Sequence, residues 1–229
     1  VRGVVALIES LVVGMGALNY SAGLFAEGEG EELGAKELAM TILVALGLTF
    51  LIFVAFPAFI ATLLKERITS TFLLNLAEGF LKISLFVLYI VIISRLEDIR
   101  RVFEYHGAEH KTIHAHEAGL PLTVENIRPF STIHPRCGTS FPLLVFFVSI
   151  FIFSFFGRPP FWQRIGLHLA ILPLVAGISY ELIKLAGRPT GGVAKTVVGF
   201  ITTPGLWLQR LTTKEPSAEQ IQVAIAALE

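Results

Sequence analysis

Apolar and polar positions divide this chain into long uncharged runs separated by short polar breaks. Residues 38–64 carry no charge over 27 positions, more than the roughly 20 a helix needs to cross a bilayer. The run predicts a tilted membrane span, kinked near Pro57 because proline removes a helical hydrogen bond. A second span is expected over residues 72–94, although it contains Glu78 and Lys82. These two stand at i, i+4, where they can pair and lower the cost of holding charge in lipid, or serve a polar pathway. Residues 141–156 are uncharged and make a third span once Ser140 and the chain before it are counted. Residues 167–186 predict a fourth, interrupted by Pro173 and Gly177 and carrying Glu181 and Lys184 near its end.

The flanks are less regular. Residues 4–24 are apolar but hold Glu9, Asn19 and several glycines, which predicts a closely packed interfacial or re-entrant helix rather than a span. Residues 27–37, with five glutamates and three glycines, read as a solvated loop. Around Trp207, residues 191–211 suit a helix at the headgroups or a poorly hydrophobic fifth span. Ser217 and Gln220 form a capping box after Pro216. The helix they start presents Ile221, Val223, Ala224, Ala227 and Leu228 as a packing or homo-oligomer surface. The expected fold is all-α: one polytopic membrane domain over residues 1–229 with about four transmembrane helices plus interfacial and amphipathic helices. Its parts are 1–37, 38–94, a connection over 95–140, 141–186 and 187–229.

Composition agrees with a lipid bilayer as the surroundings, since 54% of residues are hydrophobic and 16% charged. Eighteen basic residues balance eighteen acidic ones, which leaves no basic footprint for nucleic acid. With four spans, the termini and the 95–140 connection share one side, and that side holds thirteen of the eighteen Lys and Arg. By that count the connection is expected on the cytoplasmic side. The single cysteine, Cys137, builds no intramolecular disulfide and serves as inert thiol, reactive thiol or metal ligand. A first residue of Val rather than Met suggests that the chain lacks its native beginning.

The connection carries the chemistry. Residues 105–117 gather four of the six histidines with Glu109 and Glu117. Residues 95–119 lack proline, so the second span is expected to continue as one helix up to Gly119-Leu120-Pro121. On a helix, His106, His110, Ile113 and Glu117 fall within about 60° of one another. Two imidazoles at i, i+4 can chelate one Zn²⁺ or another divalent transition ion, with Glu109 or Glu117 as general base. His106-Gly107-Ala108-Glu109-His110 also fits the inverted zincin pattern H-x-x-E-H, although a polar helix with solvated histidines gives the same five residues. His134 and Cys137, three residues apart just before the third span, offer further ligands for a structural tetrahedron or for a site with one open position. Glu181 is a distant carboxylate candidate, or the structural partner of Lys184 or Lys82. Arg136 is expected to pair with Glu109 or Glu117, and His114, His116 and His168 are weaker ligand candidates.

Residues Tyr105 through Lys111, with His134-Pro135-Arg136-Cys137-Gly138-Thr139-Ser140-Phe141, resemble the YqhQ-like family of bacterial membrane proteins, a domain of unknown function described as predicted metal-dependent enzymes. The resemblance extends to Leu206-Trp207-Leu208-Gln209 and residues 212–216. It implies metal residues at His106, Glu109, His110, His134 and Cys137. Three functions follow as expectations: a metal-dependent hydrolase at the membrane surface, a scaffold with a structural metal, and a metal or proton transporter or sensor using Glu78, Lys82 and Glu181.

Overall fold

The structure, a computed structural model, describes residues 2–29, 35–135, 137–157, 160–186 and 192–229. Among them the regular elements are helices: α1 (Arg2–Glu29), α2 (Ala35–Phe50), α3 (Phe56–Leu64), α4 (Thr71–Ile93), α5 (Glu97–Glu117), α6 (Val124–Ile127), α7 (Ser140–Ser154), α8 (Phe161–Ala186), α9 (Gly192–Thr212) and α10 (Ala218–Leu228). The all-α expectation holds. The chain divides into two units, one of residues 1–82 and 148–181, the other of residues 83–147 and 182–229.

In the first unit, Gly3–Ser21, Ala39–Leu64 and Thr71–Ile93 are long and apolar enough to cross a membrane; the last of these runs on into the second unit. Val13, Leu18, Leu43 and Leu51 are more than half exposed, an apolar surface that suits hydrocarbon and not water. The second and third of these runs match the first two expected spans. Gly3–Ser21 qualifies by length where the glycines pointed to an interfacial helix. Gly3 approaches Gly177 and Tyr180, whereas Gly14, Gly16 and Gly23 have open space around them among the described residues, so of these glycines only Gly3 serves close packing. The expected third and fourth spans form helices outside that set. α7 has only 15 residues, and α8 includes Gln163, Arg164, His168, Glu181 and Lys184. Pro173 lies inside α8 without ending it.

Just before Pro57, where a kink is expected, the helix widens into a π turn over Leu51–Ala55, in which the Phe56 N–H donates to the Leu51 carbonyl. Pro57 has no N–H to continue the ordinary ladder, and the wider turn absorbs the loss. Glu78 and Lys82 pair at 3.0 Å. One turn before Glu78, the Asn75 amide donates to the Phe153 and Phe156 carbonyls at 3.0 and 3.1 Å, satisfying groups that the end of α7 leaves without helical partners. Part of the expected acidic loop is helical instead: α1 runs to Glu29 and α2 starts at Ala35, while residues 30–34 lie outside the described residues.

In the second unit, the span does not continue as one helix. α4 stops at Ile93, Leu96 is extended, and α5 starts afresh with Glu97 and Asp98 facing its N-terminal dipole. At its other end the expected stop holds: Gly119 takes φ +69°, and the Leu120 and Gly119 N–H groups donate to the Ala115 and His116 carbonyls. That is a Schellman ending, which needs a left-handed residue. The Ser217–Gln220 capping box is present. α10 buries Ile221 and Ala224 against Ala108 and Ala115 of α5 and Ile127 of α6. Val223 and Leu228 of the expected apolar face stay 54% and 41% exposed, so only one stripe of that helix packs.

Candidate metal centre

Helix α5 is polar in composition, yet Gly107, Ala108, His110, Lys111, Thr112 and Ala115 are buried. Lys111 explains how this is tolerated: its ammonium donates to the Arg128 carbonyl at 2.8 Å and to the Glu215 carboxylate, so the buried charge is paired. Gly107 sits where residue 214 crosses the helix, and a Cβ there would overlap the Lys214 carbonyl oxygen. The crossing also brings the Thr212 carbonyl to His106.

His106 Nδ1 donates to that carbonyl at 2.8 Å, which leaves Nε2 facing Cys137 Sγ at 3.2 Å. His110 Nδ1 donates to the Thr132 carbonyl at 2.5 Å, so its Nε2 is likewise the lone-pair nitrogen. Backbone carbonyls thus fix tautomer and ring orientation for both imidazoles, the support that metal-ligating histidines characteristically have. One ligand atom from each of His106, His110 and Cys137 lies within 4.8 Å of the others. Burial alone would push the Cys137 thiol up, but hydrogen bonds from His106, His110 and Thr139 outweigh it and bring it down from 9.0 to about 5. Burial likewise opposes the charged form of His106, and its bonds to Cys137 and Thr212, with the nearby Glu109 charge, raise it overall. Both shifts favour a thiolate facing an imidazolium, so a cation that takes the sulfur would displace the Nε2 proton of His106 and free that lone pair.

A second group adjoins the first. His114, Glu117 and His134 also offer ligand atoms within 4.8 Å of one another. His134 Nε2 lies 3.5 Å from Glu117 Oε2, and burial, followed by the neighbouring His114, lowers the His134 pKa. A cleft of about 380 Å³ is lined by His106, Glu109, His110, Glu117, His134 and Cys137.

The expected ligands therefore come together in two sets rather than one tetrahedron. His134 stands with His114 and Glu117, its ring 4.6 Å from that of His114 and 5.8 Å from that of His110. Glu109 lies exposed along the cleft. Glu181 is exposed on α8 in the other unit. His116 is exposed; Arg136 and the His168 side chain lie outside the described residues. Several supporting groups escaped the sequence reading. Buried Gln209 accepts from the His134 N–H at 2.9 Å and donates to the His134 carbonyl and Ser140 Oγ at 3.0 and 3.1 Å. Thr139 supports the Cys137 sulfur at 3.0 Å. One signal was available: a glycine inside a helix costs stability, so Gly107 between two histidines marked a close approach.

Fold and site together define an all-helical protein with helices fit to cross a membrane and His, Cys and Glu groups able to hold a metal ion. The chain belongs to the family described as proteins of unknown function, DUF1385, which matches residues 1–229. It is 37% identical over 237 residues to the uncharacterized protein YqhQ of Bacillus subtilis strain 168, covering 98% of this chain and 74% of that protein. No solved structure is significantly similar to it.

Proposed function

We propose that this chain is an integral protein of a bacterial cytoplasmic membrane that holds Zn²⁺ or a similar divalent ion on His106, His110 and Cys137 and works as a hydrolase at the cytoplasmic surface. The observation that carries the reading is the convergence of two imidazole lone pairs and one acidified thiol, with the far nitrogen of each ring tied to a backbone carbonyl. This donor set fits the ion, since Zn²⁺ accepts nitrogen and thiolate ligands in tetrahedral geometry. Three protein donors leave one position for a substrate or solvent, and the donors line an open cleft. The bound ion would supply Lewis acidity. The chain's own residues supply the proton chemistry: Glu109, exposed at the cleft beside His106, takes a proton from attacking water, and Glu117 is the other candidate base. The basic excess of the 95–140 side supports the cytoplasmic orientation.

A second reading has its own support. The three donors and the Thr212 carbonyl come from α5, the loop before α7 and the end of α9, so an ion there also clamps three segments, as a scaffold with a structural metal requires. Purified chain should be assayed against peptide, lipid and phosphoester panels, with Glu109→Gln beside it. The hydrolase reading expects that variant to keep its metal and lose turnover. Undiminished turnover rejects Glu109 as the base, and metal-loaded chain inert on all three panels favours the clamp.

A further inference from the structure

His114, Glu117 and His134 have no part in the three-donor site just described, yet they form a second convergence on the same helix face. We propose that these three side chains bind a second divalent transition cation, making the cleft a two-ion centre. The inference rests on and deepens the hydrolase reading, and it takes Glu117 as a ligand rather than as the alternative base.

The His114 Nε2–H donates to the Ile133 carbonyl at 2.9 Å, which leaves Nδ1 as that ring's lone-pair nitrogen, the same carbonyl support that His106 and His110 receive. His114 also stacks on Phe130 with ring planes 9° apart, so its orientation is fixed by packing as well as by the bond. His134 is positioned through its backbone. Its N–H and carbonyl are both held by Gln209, and its ring, 5% exposed, stands beside His114 and Glu117. Glu117 has a side chain 37% exposed at the last turn of α5, with its carboxylate 3.5 Å from His134 Nε2. It can swing onto an ion without breaking a packed core.

The chemistry of the two sets differs. Two nitrogens and a carboxylate oxygen are harder than two nitrogens and a thiolate, and suit Zn²⁺, Mn²⁺, Fe²⁺ or Co²⁺ rather than Cu⁺. The four rings neighbour one another in sequence: His106 to His110 at 4.4 Å, His110 to His134 at 5.8 Å, His134 to His114 at 4.6 Å. The two donor sets therefore adjoin, and Glu117 and His134 of the second line the same cleft as the first, an arrangement in which paired cations could clamp both oxygens of a displacement. A phosphoester or a comparable anionic ester is the substrate class such a centre would take.

The test uses full-length protein in detergent, stripped with chelator and titrated with Co²⁺. A thiolate–cobalt charge-transfer band reports the Cys137 site, and elemental analysis reports the total. The wild type is expected to bind about two equivalents, and His114→Ala and Glu117→Gln about one each with the band intact. Cys137→Ser should lose the band and keep the other ion. Wild type that binds one equivalent with the band present, or Glu117→Gln and His114→Ala variants that both still bind two, overturns the proposal. Absence of the band, with an ion that Glu117→Gln removes, would instead sink the Cys137 site and leave the second one standing.

Discussion

The run Ala39–Leu64 and helix α5 are two long helical stretches with opposite ways of being satisfied. None of the apolar run's most hydrophobic window is buried inside the protein; only Pro57 and Ala61 near the end of the run are covered, and its threonines bond locally, as when Thr49 donates to the Ala45 carbonyl at 2.7 Å. α5 has polar composition but buries six of its residues and ties His106, His110, Lys111 and His114 to carbonyls from other segments. Hydrophobic run length tells where a helix resides. Buried polar groups held from several directions tell where it works.

Glycines give the sharpest way to break that contrast. Gly107→Val should cost about 3 kcal/mol or more and abolish metal binding, because the new side chain has to displace the Lys214 backbone. Gly47→Ala, with nothing within 4 Å, should be neutral or stabilise by up to about 1 kcal/mol. Denaturant unfolding in detergent reads both, and equal effects would erase the distinction. Next in size, Gln209→Ala removes three buried hydrogen bonds and should cost about 2–3 kcal/mol, with loss of His134 order by NMR.

The third expectation concerns charge. Cys137 lies well below its ordinary 9.0, at about 5, so the thiolate persists on lowering the pH and is lost only around pH 5. Alkylation of metal-free protein should be nearly constant from pH 8 to about pH 6 and fall below that. His106→Ala removes the leading stabilising hydrogen bond and should move the midpoint upward. A wild-type midpoint near 9 would dissolve the thiolate–imidazolium pair. The smallest effect belongs to the apolar run: Thr49→Val should change stability by less than about 0.5 kcal/mol, since its hydroxyl bonds only within its own turn.

The long apolar runs were legible because bilayer thickness imposes a length that composition alone reveals, and the Gly119 stop and the Ser217 cap were legible because each is decided within a few residues. The break at Leu96 was not, since nothing between Ile93 and Glu97 forbids a helix locally. The meeting of His106 and His110 on one face followed from helical periodicity, and Cys137 was named as a partner from ligand chemistry. The division of the ligands was hidden. It depends on Gln209 holding His134 and on backbone carbonyls at Thr132, Ile133 and Thr212, groups that every residue possesses and no sequence pattern marks.

X-ray absorption at the zinc edge of the purified, zinc-loaded chain tests the central claim most directly, because it sees the donor atoms. The account expects a sulfur scatterer at about 2.3 Å alongside nitrogen at about 2.0 Å, with the sulfur gone in Cys137→Ser. A zinc shell of oxygen and nitrogen alone in the wild type, or a chain that retains no zinc, would contradict it.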